Sequence, residues 1–337
     1  MWRYHAQAAV ASEAIELLAV ADLREEVARE VAEKRGVKRV YGDAESLLAD
    51  GDLDAVVLAM PAHIRTRLAC KAFDAGKHVL TEKPVAMNSA EVEELIRARV
   101  ELLAACCCLR YQFFEATAKD VVASGVLGKL RVVHCRAIRA AAGPPPQSPP
   151  PPWRLKRSLN AGGIMSNWGC YDLDYLLGIA GWSLVPKQVL AQIWTVPAAY
   201  AHYAAPDSDA ETHVAVLIRC QDDVMISYER AEFIAAREGS TWELIADEGA
   251  LSLHMTPSED GRVVYFKADN TKGVVSETVC TADEDIMKAH AGPIEELATA
   301  IEEGRSPQAT LERAWVIQQI TDAIYESAGC RGSVDRR

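Results

Sequence analysis

Apolar residues in the first hundred positions come in short runs separated by amphipathic stretches. Ile15 to Ala21 ends at Asp22 and reads as a buried strand. Over residues 24–35, Val27, Ala28, Val31 and Ala32 share one helical face, and Gly36 stops the helix. The run from Ala55 to Met60 ends at Pro61. A helix with Leu68, Ala69, Ala72 and Phe73 on one face follows, closed by Gly76. His78 to Leu80 is strand-like and leads into Glu82-Lys83-Pro84. Asn88 and Glu91 form a capping box for a helix to about Leu103. An apolar run through Cys108 comes next without a turn residue, which predicts a shortened loop. Strands alternating with helices at this spacing predict parallel β-α-β units in a doubly wound sheet.

The pattern changes after about residue 128. Leu130–Ile138, Gln188–Val196, His213–Cys220, Val224–Arg230 and Val263–Lys267 read as strands, several of them alternating, with little helix between the later ones. That predicts a large, mostly antiparallel sheet, open on one face. Helices return at Pro293 to Glu303 and at Leu311 to Ser327. The expected division is residues 1–112, an α/β domain, and residues 113–337, an α+β domain. Gly143 to Pro152, with seven prolines, is a stiff connector; the Trp153-Arg154 and glycine pair that follow favour a place overhanging a site.

A chain of 337 residues suits about two domains. The balance of 36 basic against 48 acidic residues gives a net charge of −12, which repels phosphate backbones and argues against nucleic acid. A small neutral substrate fits better. No run approaches the ~18 apolar residues of a membrane span, and no secretory signal is visible. Cysteines number nine, without disulfide-framework or zinc spacing, so reduced thiols, no metal and a cytoplasmic location are expected.

The motifs sharpen this. The stretch "DAVVLAMPAHIRTRLACKAFDAGKHVLTEKPVAMN" and the block "WRLKRSLNAGGIMSNWGCYDLDYLLG" resemble the glucose–fructose oxidoreductase / inositol dehydrogenase family (Gfo/Idh/MocA). "HAGPIEELATAIEEGRSP" near the end resembles that family's closing helices, so the likeness runs from about Tyr4 to Ser327. The resemblance implies a Rossmann-like domain and an NAD- or NADP-dependent oxidoreductase acting on a CH–OH group of a sugar, cyclitol or related polyol. It also implies a homodimer or homotetramer joined through the open sheet. Its site residues carry over as follows. Asp22, at a strand end, would bind the adenosine ribose and favour NAD over NADP, although such an Asp also serves as a turn residue. Met60, Pro61, His63 and Glu82 would lie beside the cofactor, with a capping role equally open to His63. Lys83 would face substrate and nicotinamide, and in the family Pro84 often follows a cis bond.

Ala161-Gly162-Gly163 takes the place of the family's glycine turn. Asn167 stands where the family has Asp, Tyr171 where it has His, and Asp174 keeps the final acid. The four-residue step puts Asn167 and Tyr171 on one helix face, which Asp174 joins. A Tyr, with a pKa of ~10 unperturbed, serves as acid, or as base beside a cation such as Lys83. Asn167 orients but carries no proton. Arg110, Trp153, Arg154 and Asp174 would contact substrate, a Trp stacking on a sugar ring and an Arg donating to its hydroxyls.

One family feature has no counterpart: the opening strand and Gly-x-Gly-x-x-Gly turn. The first glycine is Gly36, and Tyr4-His5-Ala6 reads as the start of the helix that should follow the turn. Three readings stay open: a sequence beginning at an internal methionine, a homologue that no longer binds cofactor, or another segment or a partner subunit filling the place. The alternative to a dehydrogenase is accordingly a catalytically inactive sugar-binding or regulatory homologue.

Overall fold

The computed structural model describes residues 2–107, 114–141, 151–255, 261–281 and 286–335. They form two compact units. Residues 1–110 and 286–316 make the first, and 111–285 and 317–337 the second.

The first unit alternates helix and strand: α1 (Trp2–Ala11), β1 (Ala19–Ala21), α2 (Glu25–Arg35), β2 (Arg39–Tyr41), α3 (Ala44–Leu48), β3 (Ala55–Leu58), α4 (Ala62–Asp74), β4 (His78–Thr81), α5 (Ser89–Ala98) and β5 (Ala104–Cys106). Local chemistry sets the helix ends. Gly36 takes a left-handed conformation, φ 71°, and returns its N–H to Ala32 O, closing α2. Asn88 accepts the Glu91 N–H at 3.0 Å, opening α5. Glu91 does not reciprocate to Asn88; it accepts the Met87 N–H and the Thr66 hydroxyl. All strand pairs here are parallel, but they form two sheets, β1–β2 and β3–β4–β5. The doubly wound order places a further strand between those occurring here as β1 and β3. None of the described residues forms one.

The second unit contains α6 (Glu115–Ala123), β6 (Leu130–Ala140), α7 (Arg157–Asn160), α8 (Cys170–Ile179), β7 (Pro186–Thr195), β8 (Glu211–Cys220), β9 (Met225–Ile234), β10 (Gly239–Ala246), β11 (Gly249–Leu253), β12 (Arg262–Asp269) and β13 (Gly273–Thr281). Then α9 (Ile286–Glu303) belongs to the first unit, α10 (Leu311–Cys330) begins there and continues into the second, and β14 (Val334–Asp335) ends the described chain. The nine-stranded sheet runs β13-β12-β11-β10-β6-β9-β8-β7-β14, with β6–β9 its parallel pair and every other pair antiparallel. One face carries the core: Val133 and Cys135, Val214 and Val216, Ile226 and Tyr228, Trp242 and Leu244. Every residue of α8 is buried. The other face leaves Leu190, Trp194, Leu217 and Ile245 exposed.

Residues 286–316 join the first unit rather than the second, which corrects the division at 112/113. Ile294 and Leu297 of α9 pack with Ala8 and Ala9 of α1 against Leu80, Ala105 and Cys107. This helix also begins seven residues before Pro293, which lies inside it.

Candidate active site

In the first unit the expected cofactor residues gather at the carboxyl ends of parallel strands. Met60 and Pro61 follow β3, with Pro61 the N-cap of α4 and His63 exposed in its first turn. Glu82 and Lys83 follow β4, and the Lys83-Pro84 peptide is cis, as the resemblance implied. Glu82 is buried. Its Oε1 lies 2.9 Å from His5 Nε2, and its Oε2 accepts the Lys83 backbone N–H at 3.1 Å. Arg65, unnoticed in the sequence, ties these segments together. It is buried at 2% exposure and donates to Met60 O at 2.9 Å and to the carbonyls of Glu82 and Pro84. One guanidinium thus holds the end of β3 to both sides of Lys83. Its sequence signal was a cation on the apolar face of α4, one turn from Leu68 and Ala69. Asp22 follows β1; its Oδ1 accepts the Arg24 N–H at 2.9 Å, while Oδ2 accepts nothing among the described residues. It is therefore a turn residue with one carboxylate oxygen to spare.

In the second unit the glycine turn is built by close approach. A β-carbon on Gly163 would meet Glu211 O at 1.8 Å, and one on Gly162 would meet the Tyr325 hydroxyl at the same distance. Ala161 occupies the left-handed region, φ 63°, where a β-carbon costs about 1–2 kcal/mol. Ala161→Gly is expected to raise stability by about 1 kcal/mol, read as a shift in the urea midpoint of unfolding. An unchanged midpoint would show that the strain is relieved elsewhere.

Past the turn, Met165–Gly169 winds as a π-helical turn before α8, a feature frequent at functional sites. Asn167 is buried and fastened locally: its Nδ2 donates to Gly163 O at 2.9 Å, and its Oδ1 accepts from Asn160 Nδ2 at 3.3 Å. Asn160 also donates to Arg154 O, so Arg154, Asn160 and Asn167 form one group. Tyr171 is buried and packs edge-on against Trp168, ring centres 5.6 Å apart; Asp174 is buried on the same helix. Trp153 is 37% exposed. Arg110 lies outside the described residues.

Two further acids escaped the sequence reading. Glu211, 1% exposed, accepts the backbone N–H groups of Gly163 and Met165 at 3.0 Å and the Tyr325 hydroxyl at 2.9 Å. Burial pushes its carboxyl above the usual range. Glu232 pairs with Arg154 at 2.7 Å, and its buried Oε1 meets no partner among the described residues. It lines a cavity with Ile164, Trp168, Arg230 and Trp242. The Arg230 guanidinium lies 4.6 Å from the Trp168 ring centre. Neither acid follows a motif, because β8 brings Glu211 to Gly163 from 48 residues away and β9 brings Glu232 to Arg154 from 78.

Comparison with known proteins matches this architecture. The oxidoreductase family with an NAD-binding Rossmann fold (GFO_IDH_MocA) matches residues 1–106, and the GFO/IDH/MocA C-terminal domain matches residues 116–252. The D-xylose 1-dehydrogenase (NADP(+)) 2 of Haloferax volcanii is 28% identical over 331 residues, covering 95% of this chain and 92% of that protein. An uncharacterised oxidoreductase of Rhizobium meliloti is 33% identical over 127 residues, 37% of this chain; there the match spans only 38% of the relative's length. The crystal structure of an oxidoreductase domain protein from Kribbella flavida superposes with a TM-score of 0.85 at 20% identity, covering 99% of this chain and 96% of that one, and so shares the fold. The chain belongs to the Gfo/Idh/MocA family of NAD-binding oxidoreductases.

Proposed function

We propose that this protein is an NAD(P)-dependent dehydrogenase or reductase that acts on a CH–OH group of a sugar, cyclitol or related polyol. The observation that carries the reading is the held position of Lys83: Arg65 and Glu82 bind the backbone on either side of it at the carboxyl end of β4. In open α/β sheets that is the edge where ligands bind. The D-xylose dehydrogenase among the relatives supports a sugar as substrate.

The residues present suit the cofactor in one testable respect. Asp22 has a carboxylate oxygen without a partner among the described residues at the end of β1, and a ribose hydroxyl would donate to it. Met60, Pro61, His63 and Glu82 line the neighbouring strand ends and would flank the rest. The bound nicotinamide supplies the hydride acceptor or donor. Lys83 donates a hydrogen bond to the reacting oxygen and stabilises the negative charge that grows there. In the oxidation, the hydroxyl proton leaves to Tyr171, the acid–base group that the resemblance assigns. In the reduction, Tyr171 returns that proton. Asn167, with Gly163 and Asn160, holds the start of the helix that carries Tyr171. Arg154, Trp153, Asp174 and Arg110 orient the hydroxyls of the substrate.

The test is formation of reduced cofactor by the full chain across a panel of aldoses, polyols and cyclitols, with calorimetric titration of NAD and NADP. Absence of both turnover and nucleotide binding would leave the second reading, a sugar-binding homologue without cofactor. Asn167 favours that reading, since its carboxamide stands where the resemblance places an acid and carries no proton. For cofactor choice, Asp22→Ser is expected to weaken NAD by about tenfold, the worth of one hydrogen bond to a charged acceptor. NADP should weaken less, because a repelling charge is removed at the same step. Equal losses for the two would sink the ribose role.

Assembly through the open sheet face completes the proposal. Leu190 lies opposite Leu217, and Trp194 opposite His213, across β7 and β8. Leu190, Trp194 and Leu217 are each about half exposed. A homodimer or homotetramer would cover them. Leu217→Glu is expected to shift the light-scattering mass to that of one chain; an unchanged mass would refute this interface. No described helix is long and apolar enough to cross a membrane. The acidic charge argues against nucleic acid. The eight described cysteines are free thiols, which supports the cytoplasm as compartment.

A further inference from the structure

The buried cluster of His5, Glu82 and Cys107 shares Glu82 with the proposed cofactor edge and adds two side chains that the proposed chemistry does not use. His5 comes from α1, Glu82 follows β4 and Cys107 follows β5, all within the first unit. Exposures are 4%, 4% and 0%. His5 Nε2 is 2.9 Å from Glu82 Oε1 and 4.0 Å from Cys107 Sγ, and the three atoms lie within 4.8 Å of one another. Among the described residues this is the one group of three such side chains close enough to share an ion.

We propose that these three side chains form a binding site for a thiophilic divalent cation of the Zn2+ class. Three arguments carry it. The first is ligand type: thiolate, imidazole and carboxylate are the set that Zn2+ takes, at about 2.3, 2.0–2.1 and 2.0–2.2 Å. Donors at those radii around a tetrahedral ion stand some 3–4 Å apart, so the observed separations need adjustments on the order of 1 Å. The second is charge. A cation of charge two, one thiolate, one carboxylate and one neutral imidazole sum to zero, so the filled site buries no net charge, the condition that makes a buried ion tolerable. The third is the placement of His5: its Nε2 faces both Glu82 Oε1 and Cys107 Sγ, so one ring nitrogen stands between the other two donors. Glu82 is also prepared, because its Oε2 is engaged by the Lys83 N–H while Oε1 points to His5.

The balance of the binding step is simple. The thiol S–H of Cys107 breaks and its proton goes to solvent. His5 binds as the neutral ring with its proton at Nδ1, and bonds from sulfur, Nε2 and Oε1 to the cation form. One position of the tetrahedron remains for water. Bound there, the ion would fasten α1 to the ends of β4 and β5, giving it a structural role beside the Lys83 turn.

The experiment uses the full chain, stripped of metal with a chelator and titrated with Zn2+ alone by calorimetry in two buffers of different ionisation enthalpy. The expected result is one Zn2+ per chain with release of one proton. Co2+ should give a near-ultraviolet thiolate charge-transfer band. Cys107→Ser should weaken binding by about a hundredfold or more, since loss of an outer-shell partner alone costs about 10–100-fold, and should remove the band. The double variant Cys70→Ser, Cys330→Ser, which removes a half-buried and an exposed thiol, should keep both. X-ray absorption at the zinc edge, on the unmodified chain, should report one sulfur and otherwise nitrogen or oxygen. It decides the matter even if Cys107→Ser fails to fold. No stoichiometric binding, an undiminished band in Cys107→Ser, or a zinc shell without sulfur or with two or more would each overturn the site.

Discussion

Lys83→Met is expected to lower kcat/KM by about a thousandfold, within the 10²–10⁴ range of a positioned acid–base group, while nucleotide affinity changes by less than about threefold. That loss corresponds to about 4 kcal/mol of transition-state stabilisation. The asymmetry follows from the geometry. The backbone of Lys83 is held by neighbours that the substitution leaves alone: Glu82 Oε2 receives its N–H, and Arg65 grips the carbonyls before and after it. Methionine keeps the length and apolar stem of the side chain but has no ammonium. The fold of the turn should survive, and the donor to the reacting oxygen should go. The exposed Lys129, substituted in the same way, provides the control. Because the growing charge exists only in the transition state, kcat should fall with kcat/KM and KM should move little. Steady-state kinetics on the best substrate of the panel decide it. If the Lys83 and Lys129 variants turn over equally fast, the assigned role is wrong; if KM alone rises, Lys83 merely binds.

How much of this could be read beforehand depends on the range of the interaction. The strand–helix alternation of the first unit was legible because burial imposes its period on neighbouring residues: β1, α2, β3 and α4 fall within the expected spans and β4 runs one residue past its own, while the short β2 and α3 were not anticipated. The same rule explains what was missed in the second unit. β13 is exposed along almost its whole length, so no core stamps an alternating pattern on Gly273–Thr281. β10 does alternate, burying Trp242 and Leu244, but Glu243 and Thr241 on the open face dilute a short run. The site divides likewise. Lys83, Asn167 and Tyr171 sit in contiguous motifs and could be named. Arg65, Glu211 and Glu232 act on partners that only folding brings near. His5, Glu82 and Cys107 show no metal spacing in the chain at all, because α1, β4 and β5 bring them together from positions far apart. Spacing rules for zinc look for ligands on one loop or hairpin, and a cluster assembled across a sheet lies beyond them.

The largest stability effect is expected at Asp172, next in the chain to Tyr171. Its carboxylate is fully buried and accepts four hydrogen bonds: from Tyr228 Oη at 3.0 Å, from Arg230 Nε at 2.9 Å and Nη2 at 3.3 Å, and from Trp242 Nε1 at 3.0 Å. Burial works against the charge on Arg230; the Asp172 carboxylate, first among the groups that oppose it, together with Tyr228, Cys135 and Cys170, holds the guanidinium above its ordinary value. Asp172→Ala would leave a buried cation and two buried donors without an acceptor. The expected loss is about 3–5 kcal/mol, read from the urea midpoint of the second unit by near-ultraviolet circular dichroism. That signal is well placed, since Trp168 lies under Arg230 and Trp242 donates to Asp172. The paired replacement Asp172→Leu with Arg230→Met should cost less than either single change, because an apolar pair needs no desolvated charge balanced. A single substitution costing under about 1 kcal/mol would mean that water reaches the pair. If the double variant costs as much as the sum of the singles, the two groups act independently, and the carboxylate is not what keeps Arg230 charged beneath the sheet.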